Sequence, residues 1–249
     1  MKHTPRDFKN NFATNSLQNL IHSNSEIRAN TIGNKRKVIT VFFLFCFFII
    51  ALKLAFVADG PVRLAIVNIQ GPTWNESLTK KIVAAVSRYG DWPELMFFGL
   101  IGFLVARYRR SPRWQKIFLC AMVASTLAGG LVNTLRLTTG RTRPRVGEQH
   151  WYGPYHAGKW TIGNSEVNSF PSGHTATAVG FATVILLASP AWGAMAMMLA
   201  VSVAGSRLLL GAHHPSDLLA AFFVAIGISW CLWYYTENRS PGWVERLIK

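Results

Sequence analysis

Residues 117–135 read IFLCAMVASTLAGGLVNTL, nineteen positions without a charge. They run directly into Arg136-Leu137-Thr138-Thr139-Gly140-Arg141-Thr142-Arg143-Pro144, and Arg145 follows. An uncharged apolar stretch of about 20 residues is long enough to cross a bilayer as a helix, the form that satisfies its own backbone in lipid. Four arginines at its end, with no acid among them, mark where polar chemistry begins. Further apolar runs lie on both sides: Val38–Val57, Leu95–Val105 (extended at its start by Trp92–Glu94), Thr175–Ser189, Trp192–Leu210 and Leu218–Tyr235. The pattern predicts an all-α polytopic membrane protein, a bundle of six transmembrane helices. The second and fourth are short and are expected to be tilted or flush with the surface.

Composition agrees. Of 249 residues, 50% are hydrophobic and 15% charged, against about 25% charged in an average soluble domain. The net charge of +15 comes from 26 Lys and Arg against 11 Asp and Glu. Long apolar runs exclude disorder for the bulk of the chain. Cys46, Cys120 and Cys231 sit inside those runs and read as packed thiols rather than a disulfide framework. A basic excess can signal nucleic acid, but here the cations sit between apolar segments, where they set orientation. Residues 1–36 are polar, with seven Asn and, counting Lys37, seven cations; they read as a disordered cytoplasmic tail before a single membrane domain, 37–249. That polar region is too long to open a cleaved signal peptide, and Lys53 can snorkel to the interface.

With the N-terminus inside, segments 1–37, 106–116, the Ser189–Trp192 turn and the C-terminal tail hold 15 of the 26 cations. The positive-inside rule then puts both termini in the cytoplasm. The first outer loop, Ala58–Asp91, carries a capping-box pattern at Thr73 and Glu76. Leu78, Ile82, Ala85, Val86 and Tyr89 follow at helical spacing up to Gly90. This predicts an amphipathic interfacial helix over Trp74–Tyr89, a pattern that an ordinary packed loop helix fits equally well. Val62–Ile69 shows no regular period.

Polar groups gather at three places. The arginines after residue 135 offer planar forks suited to phosphate or carboxylate oxygens. Pro171-Ser172-Gly173-His174 opens the fourth span, where free backbone N–H groups at a helix N-terminus cradle an anion and Gly173 permits close approach. His174 can move a proton there. In Ser206-Arg207-Leu208-Leu209-Leu210-Gly211-Ala212-His213-His214-Pro215-Ser216-Asp217, Arg207 is the only cation between Lys159 and Arg239, and Asp217 the only acid between Glu166 and Glu237. Ionisable groups at membrane depth are costly and mark function or pairing. Pro215 suits the first position of the last helix, which puts Asp217 in its first turn, within reach of an imidazole. Counted from a cytoplasmic N-terminus, all three clusters meet on the outer face. Pooled, they supply the parts of phosphoryl transfer through a covalent intermediate.

The three clusters resemble the signatures of the type 2 phosphatidic acid phosphatase (PAP2) superfamily, K-x6-R-P, P-S-G-H and S-R-x5-H-x3-D. Here these read Arg136-x6-Arg143-Pro144, Pro171-Ser172-Gly173-His174 and Ser206-Arg207-x5-His213-x3-Asp217, in that order, within residues 95–236. Arg136 stands where the family usually has Lys, which keeps the charge and changes the contact geometry. The spacing selects His213 over His214. The resemblance implies a metal-independent lipid phosphatase without cofactor. His213, oriented by Asp217, would attack phosphorus and form a phosphohistidine. His174 would protonate the departing lipid oxygen and then activate water. Arg136, Arg143, Arg207, Ser172 and the Gly173 N–H would hold the phosphate oxygens.

A lipid phosphotransferase of the same fold shares these residues and differs in passing the phosphoryl group to another acceptor; a transporter or structural membrane protein would not need the three signatures to converge. The expected partner is a phosphorylated lipid in the bilayer, with no nucleic acid. Candidates are phosphatidate, phosphatidylglycerophosphate, polyprenyl pyrophosphate and lipid A phosphates, on the periplasmic or exterior side of a bacterial plasma membrane. The aromatic segment Arg145–Asn168, with Trp151, Tyr152, Tyr155, Trp160, His150, His156 and Glu166, fits a headgroup-reading cap or an interfacial anchor.

Overall fold

The computed structural model describes residues 39–40, 42–164 and 166–239, so the polar stretch 1–36 and the tail after Arg239 lie outside the described residues. The chain falls into two compact units, Met1–Ala51 and Leu52–Lys249. The first contributes the opening turns of helix α1, Phe42–Gln70; the second holds everything that builds the site. After α1 come α2 (Leu78–Tyr89), α3 (Trp92–Tyr108), α4 (Pro112–Thr139), α5 (Gly173–Ala188), α6 (Pro190–Leu209) and α7 (Pro215–Arg239). A two-stranded hairpin, β1 (Tyr155–His156) and β2 (Lys159–Trp160), sits in the α4–α5 connection.

Helices stand at all six positions the apolar runs predict. Among the described residues, α1, α4, α6 and α7 have the length and hydropathy of a membrane span, and α5 is a shorter apolar helix of 16 residues. Helix α3 has 17 residues, about 26 Å at 1.5 Å per residue, against a hydrocarbon core of about 30 Å. Proline opens α4, α6 and α7, where its missing N–H costs no intrahelical bond.

Two boundaries differ from the sequence reading. Helix α1 does not stop at Val57 but runs on through Asp59-Gly60-Pro61 to Gln70, taking in Val62–Ile69. A Gly-Pro pair reads as a helix stop because an interior proline loses a hydrogen bond and costs about 3 kcal/mol. Tertiary contacts offset that cost: Asp59 is buried and bound by Ser216 and Arg141, and Gln70 Nε2 donates to the Leu209 carbonyl at 2.6 Å. In the α1–α3 connection, Trp74–Glu76 is a single 3-10 turn and Thr73 makes no capping bond. Ser77 caps α2 instead, its Oγ accepting from the Lys80 N–H at 3.1 Å. Helix α2 buries Val83 and Ser87 and leaves Leu78, Ile82 and Tyr89 exposed, which gives it an apolar outer side.

Helix α5 is the axle of the bundle, packed on α4, α6 and α7. It is buried almost throughout because Ala176, Ala178, Gly180 and Ala182 let neighbours approach. A methyl on Gly180 would lie 3.2 Å from the Ala124 carbonyl of α4, the close backbone contact that small residues permit between membrane helices. The outward faces stay apolar, as at Leu54, Phe97, Leu199 and Trp230, a surface that suits lipid better than water. At one end of the bundle Arg113 donates to the Ala188 carbonyl at 2.8 Å and Lys116 pairs with Glu237 at 2.7 Å. At the other end, the C-termini of α4 and α6 meet the N-termini of α5 and α7.

Candidate active site

Backbone hydrogen bonds tie the three sequence clusters into one structure at that second end. The Ser172 N–H donates to the Asp217 carbonyl at 3.2 Å, the Ser169 N–H to the Arg141 carbonyl at 3.0 Å, and the Arg145 N–H to the Gly211 carbonyl at 3.1 Å. Two glycines make the turns. Gly140 ends α4 at φ +57, with its Cα so close to the Gly153 carbonyl that a methyl would stand 2.1 Å from the oxygen. Gly211, at φ +60, closes α6 and delivers the chain into His213-His214. Both are left-handed conformations that cost glycine little.

His213 is 1% exposed. Its Nδ1 lies 2.8 Å from the Ser169 carbonyl and 3.5 Å from Asp217 Oδ2. Both neighbours are acceptors, Asp217 through a carboxylate that also takes the Arg141 guanidinium and the His214 N–H, so the ring proton belongs on Nδ1 and the lone pair on Nε2. That Nε2 is buried with no hydrogen-bond partner among the described residues. Burial, with Arg207 and Arg143 adding to it, holds His213 down to about 4 against the opposing pull of Asp217. The ring is therefore neutral at ordinary pH, the state a nitrogen nucleophile needs. His214 faces elsewhere: its Nε2 donates to the Thr142 carbonyl at 3.3 Å and its backbone N–H to Asp217 Oδ2 at 2.8 Å.

Arg136 lies in the last turn of α4, Arg207 in the last turn of α6, and Arg143 in the loop after α4. Their Nε atoms are all buried without a hydrogen-bond partner. Burial and the charges of Arg145, Arg207 and Arg136 pull Arg143 down to about 10. Cations crowded together in this way cost energy unless an anion sits among them. Arg207 Nη1 donates to Ser87 Oγ of α2 at 2.8 Å. Ser172 is buried as the N-cap of α5 without a side-chain capping bond, which leaves first-turn N–H groups at the positive end of that helix for another acceptor. Its Oγ accepts from Thr175 Oγ1 at 2.9 Å, leaving its own proton to donate. A methyl on Gly173 would reach within 2.7 Å of Asn133 Oδ1. His174, in the first turn of α5, places Nε2 3.6 Å from Asp91 Oδ2.

Several partners are absent from the sequence reading. Asp217 pairs with Arg141, not Arg207. Arg141 is fully buried, Nη1 donating to Asp217 Oδ1 and to Ser216 Oγ (2.7 Å), Nη2 to Asp59 Oδ2 (2.5 Å). Ser216 closes the ring by donating its backbone N–H and its Oγ to Asp59 at 3.0 and 2.6 Å. Phe56, Trp151 and Phe170 stand 4.8–5.8 Å from the guanidinium carbon, over their ring faces. The signal for Asp59 was present: it is the only acid between Glu26 and Glu76, set against an apolar run. Ser169 acts through its backbone carbonyl, so no residue type announces it. Among the described residues no three or more His, Cys, Asp or Glu side chains gather so as to hold a metal ion.

Apolar helices of membrane-spanning length, with a buried cationic pocket and two histidines at one end of their bundle, are the features of an integral membrane protein. The sequence profile of the PAP2 superfamily matches residues 116–241, and the chain belongs to that superfamily. The lipid A 1-phosphatase of Rhizobium johnstonii is 30% identical over 146 residues, 56% of this chain and 55% of that protein. The chain spans about half the length of the curated relatives it matches. Its fold is that of the PAP2-type phosphatidylglycerolphosphate phosphatase of Bacillus subtilis (TM-score 0.55, 20% identity, 79% of this chain and 95% of that one). Aquifex aeolicus LpxE is also similar (TM-score 0.50, 20% identity, 71% and 95%).

Proposed function

We propose that this protein is a membrane lipid phosphatase that hydrolyses a phosphomonoester or pyrophosphate of a lipid through a phosphohistidine on Nε2 of His213. The observation that carries this reading is the Ser169 carbonyl 2.8 Å from Nδ1: it fixes the tautomer and leaves Nε2 bare beside the arginines. Nε2 forms a bond to phosphorus as the bond to the lipid oxygen breaks, and His174 gives that oxygen a proton. Water then attacks phosphorus, His174 takes its proton, and the P–N bond breaks to release phosphate and neutral His213. Arg136, Arg143 and Arg207, with Ser172 and the Gly173 N–H, hold the non-bridging oxygens and stabilise charge as it builds. Asp217, held by Arg141 and the His214 N–H, acts on His213 from 3.5 Å as a fixed negative charge.

A lipid substrate is supported by an apolar cavity of about 520 Å³, lined in part by Tyr89, Gly90, Leu95, Phe98, Phe181 and Val203, beside the Gly90–Asp91 corner. The phosphate at position 1 of lipid A is the first choice, because relatives at 30% identity are lipid A 1-phosphatases. The site belongs on the non-cytoplasmic face, since Arg107, Arg109, Arg110, Arg113 and Lys116 cluster around the turn that begins α4, at the opposite end. The test is phosphate release by purified protein in micelles with EDTA present, against lipid A, phosphatidate, phosphatidylglycerophosphate and polyprenyl pyrophosphate. Release from at least one, abolished in His213→Ala, is expected. No release from any, or activity that EDTA removes, would overturn the proposal.

A further inference from the structure

The turn from α2 into α3, Gly90-Asp91, lies against the first turn of α5. Thr177 Oγ1, one turn beyond His174, donates to the Gly90 carbonyl at 2.8 Å. On its other side a methyl on Gly90 would overlap Val203 of α6 at 2.2 Å. The corner is thus seated on both helices that flank the pocket. Asp91 caps α3, its Oδ1 accepting from the Trp92 N–H at 2.9 Å. That bond leaves Oδ2 to face His174 Nε2 at 3.6 Å. The charged and titratable groups facing His174 are Arg207 of α6, Arg136 of α4, His213 of the α6–α7 loop and Asp91. Asp91 is the one acid in that set. The other carboxylate of the site, Asp217, is taken up by Arg141 and the His214 N–H.

We infer that Asp91 is a positioning residue for His174: its carboxylate steadies the imidazole ring and favours the protonated form from which the departing lipid oxygen takes its proton. The assignment rests on the acid–base role proposed for His174. Two guanidinium groups and a second imidazole face the ring, and their positive charge opposes the proton that an acid needs at the start of the reaction. An opposite charge within about 4–6 Å supplies that preference, and contacts of this kind are often longer in the empty enzyme than in the reacting complex. The proton that leaves the ring as the P–O bond breaks returns to it from the water that opens the P–N bond; Asp91 itself exchanges none.

The test is leaving-group dependence. Asp91→Asn, His174→Asn and the double variant are compared with the full-length protein in micelles. One substrate is whichever lipid phosphate of the four-lipid panel is hydrolysed fastest; the other is 4-nitrophenyl phosphate, whose leaving group needs no proton. Asn caps a helix as well as Asp does, so α3 keeps its cap. Asp91→Asn should lower kcat on the lipid about 10- to 100-fold, within the range of acid–base effects, with KM nearly unchanged. It should leave the first-turnover release of 4-nitrophenolate, which precedes the water step that also uses His174, within about threefold, and add nothing in the His174→Asn background. Asp91→Glu should recover part of the loss. Equal losses of first-turnover rate on the lipid and on 4-nitrophenyl phosphate, or a loss that persists undiminished in the His174→Asn background, would overturn the pairing while leaving the acid role of His174 standing. A His174→Asn variant with full activity on the lipid would overturn that acid role, and the pairing with it.

Discussion

Arg141→Ala is the substitution whose cost the structure fixes most directly. Arg141 is fully buried and is shared by Asp59 and Asp217, themselves 1% and 0% exposed. Its removal leaves two carboxylates inside the protein with no cation between them. Breaking a buried pair in this way costs about 3–5 kcal/mol, and the three aromatic faces around the guanidinium lose their cation as well. In a chain of this size each kcal/mol moves the melting midpoint by about 2–4 °C, so a drop of about 6–20 °C is expected. Asp59→Ala should cost less, about 2–3 kcal/mol, because Asp217 still balances Arg141. The double variant should fall short of the sum by about 1 kcal/mol or more, since the two residues share one contact. Arg141→Lys keeps the charge but cannot serve Asp217, Ser216 and Asp59 at once, so it should sit between wild type and Arg141→Ala. The assay is thermal unfolding of purified protein in detergent micelles, followed by tryptophan fluorescence. An Arg141→Ala midpoint within about 2 °C of wild type, or strict additivity with Asp59→Ala, would refute the reasoning.

His213→Ala should reduce phosphate release by about 1,000-fold or more while the protein stays folded, because it removes the proposed nucleophile. His214→Ala should keep activity within about tenfold, since the contact of residue 214 with Asp217 runs through the backbone; steady-state release assays separate the two. Acid should weaken the fold. An unfolded histidine takes a proton near 6.5, whereas His213 in the fold takes one only near 4. The stability this gap contributes is complete above pH 6.5 and fades as pH falls to 4, by about 3 kcal/mol in all. His214, lowered chiefly by burial and then by Arg141, adds in the same direction. Melting curves at pH 8, 6 and 4.5 should converge between wild type and His213→Asn as pH falls; parallel curves would count against a neutral buried ring. Gly140→Ala should destabilise the α4–α5 loop by at least about 2 kcal/mol, because it combines a positive φ with overlap on the Gly153 carbonyl, and the same melting assay reads it.

How much of this was legible depends on what each feature is made of. The spans declare themselves because hydropathy over about 20 residues is a property of sequence alone; Ile117–Leu135 and Leu218–Tyr235 both lie inside helices at the expected places. The three clusters are also visible, since charges within apolar surroundings stand out and Pro171-Ser172-Gly173 and Pro215 mark helix starts by local chemistry. The contacts between clusters are of another kind. Ser169 orients His213 through a carbonyl that every residue possesses. Asp59 sits after Val57 and before Gly60-Pro61, where local rules end a helix; Arg141 and Ser216, more than 80 and 150 positions away, bind that turn, and neither is visible from its local sequence.

The same division explains why the arginine partner of Asp217 is not legible in the sequence. Arg207 and Asp217 are close in sequence, and each is isolated in its surroundings, so pairing them is the simplest local solution. In the fold, α6 carries Arg207 toward Ser87 and α2, while the left-handed Gly140 turns the loop after α4 inward and buries Arg141 against the first turn of α7. The outcome separates the arginines by task. Arg141, with both nitrogens of its fork engaged, serves as internal counter-charge. Arg136, Arg143 and Arg207 instead crowd one another, and their charges reach His213 or His174. A cation paired twice inside the protein has little left to offer a phosphate, whereas three crowded cations gain most from one. The arginine that holds the buried frame is therefore distinguished from those proposed to meet the substrate by its partners, Asp59 and Asp217, and not by its place in the run from Arg136 to Arg145.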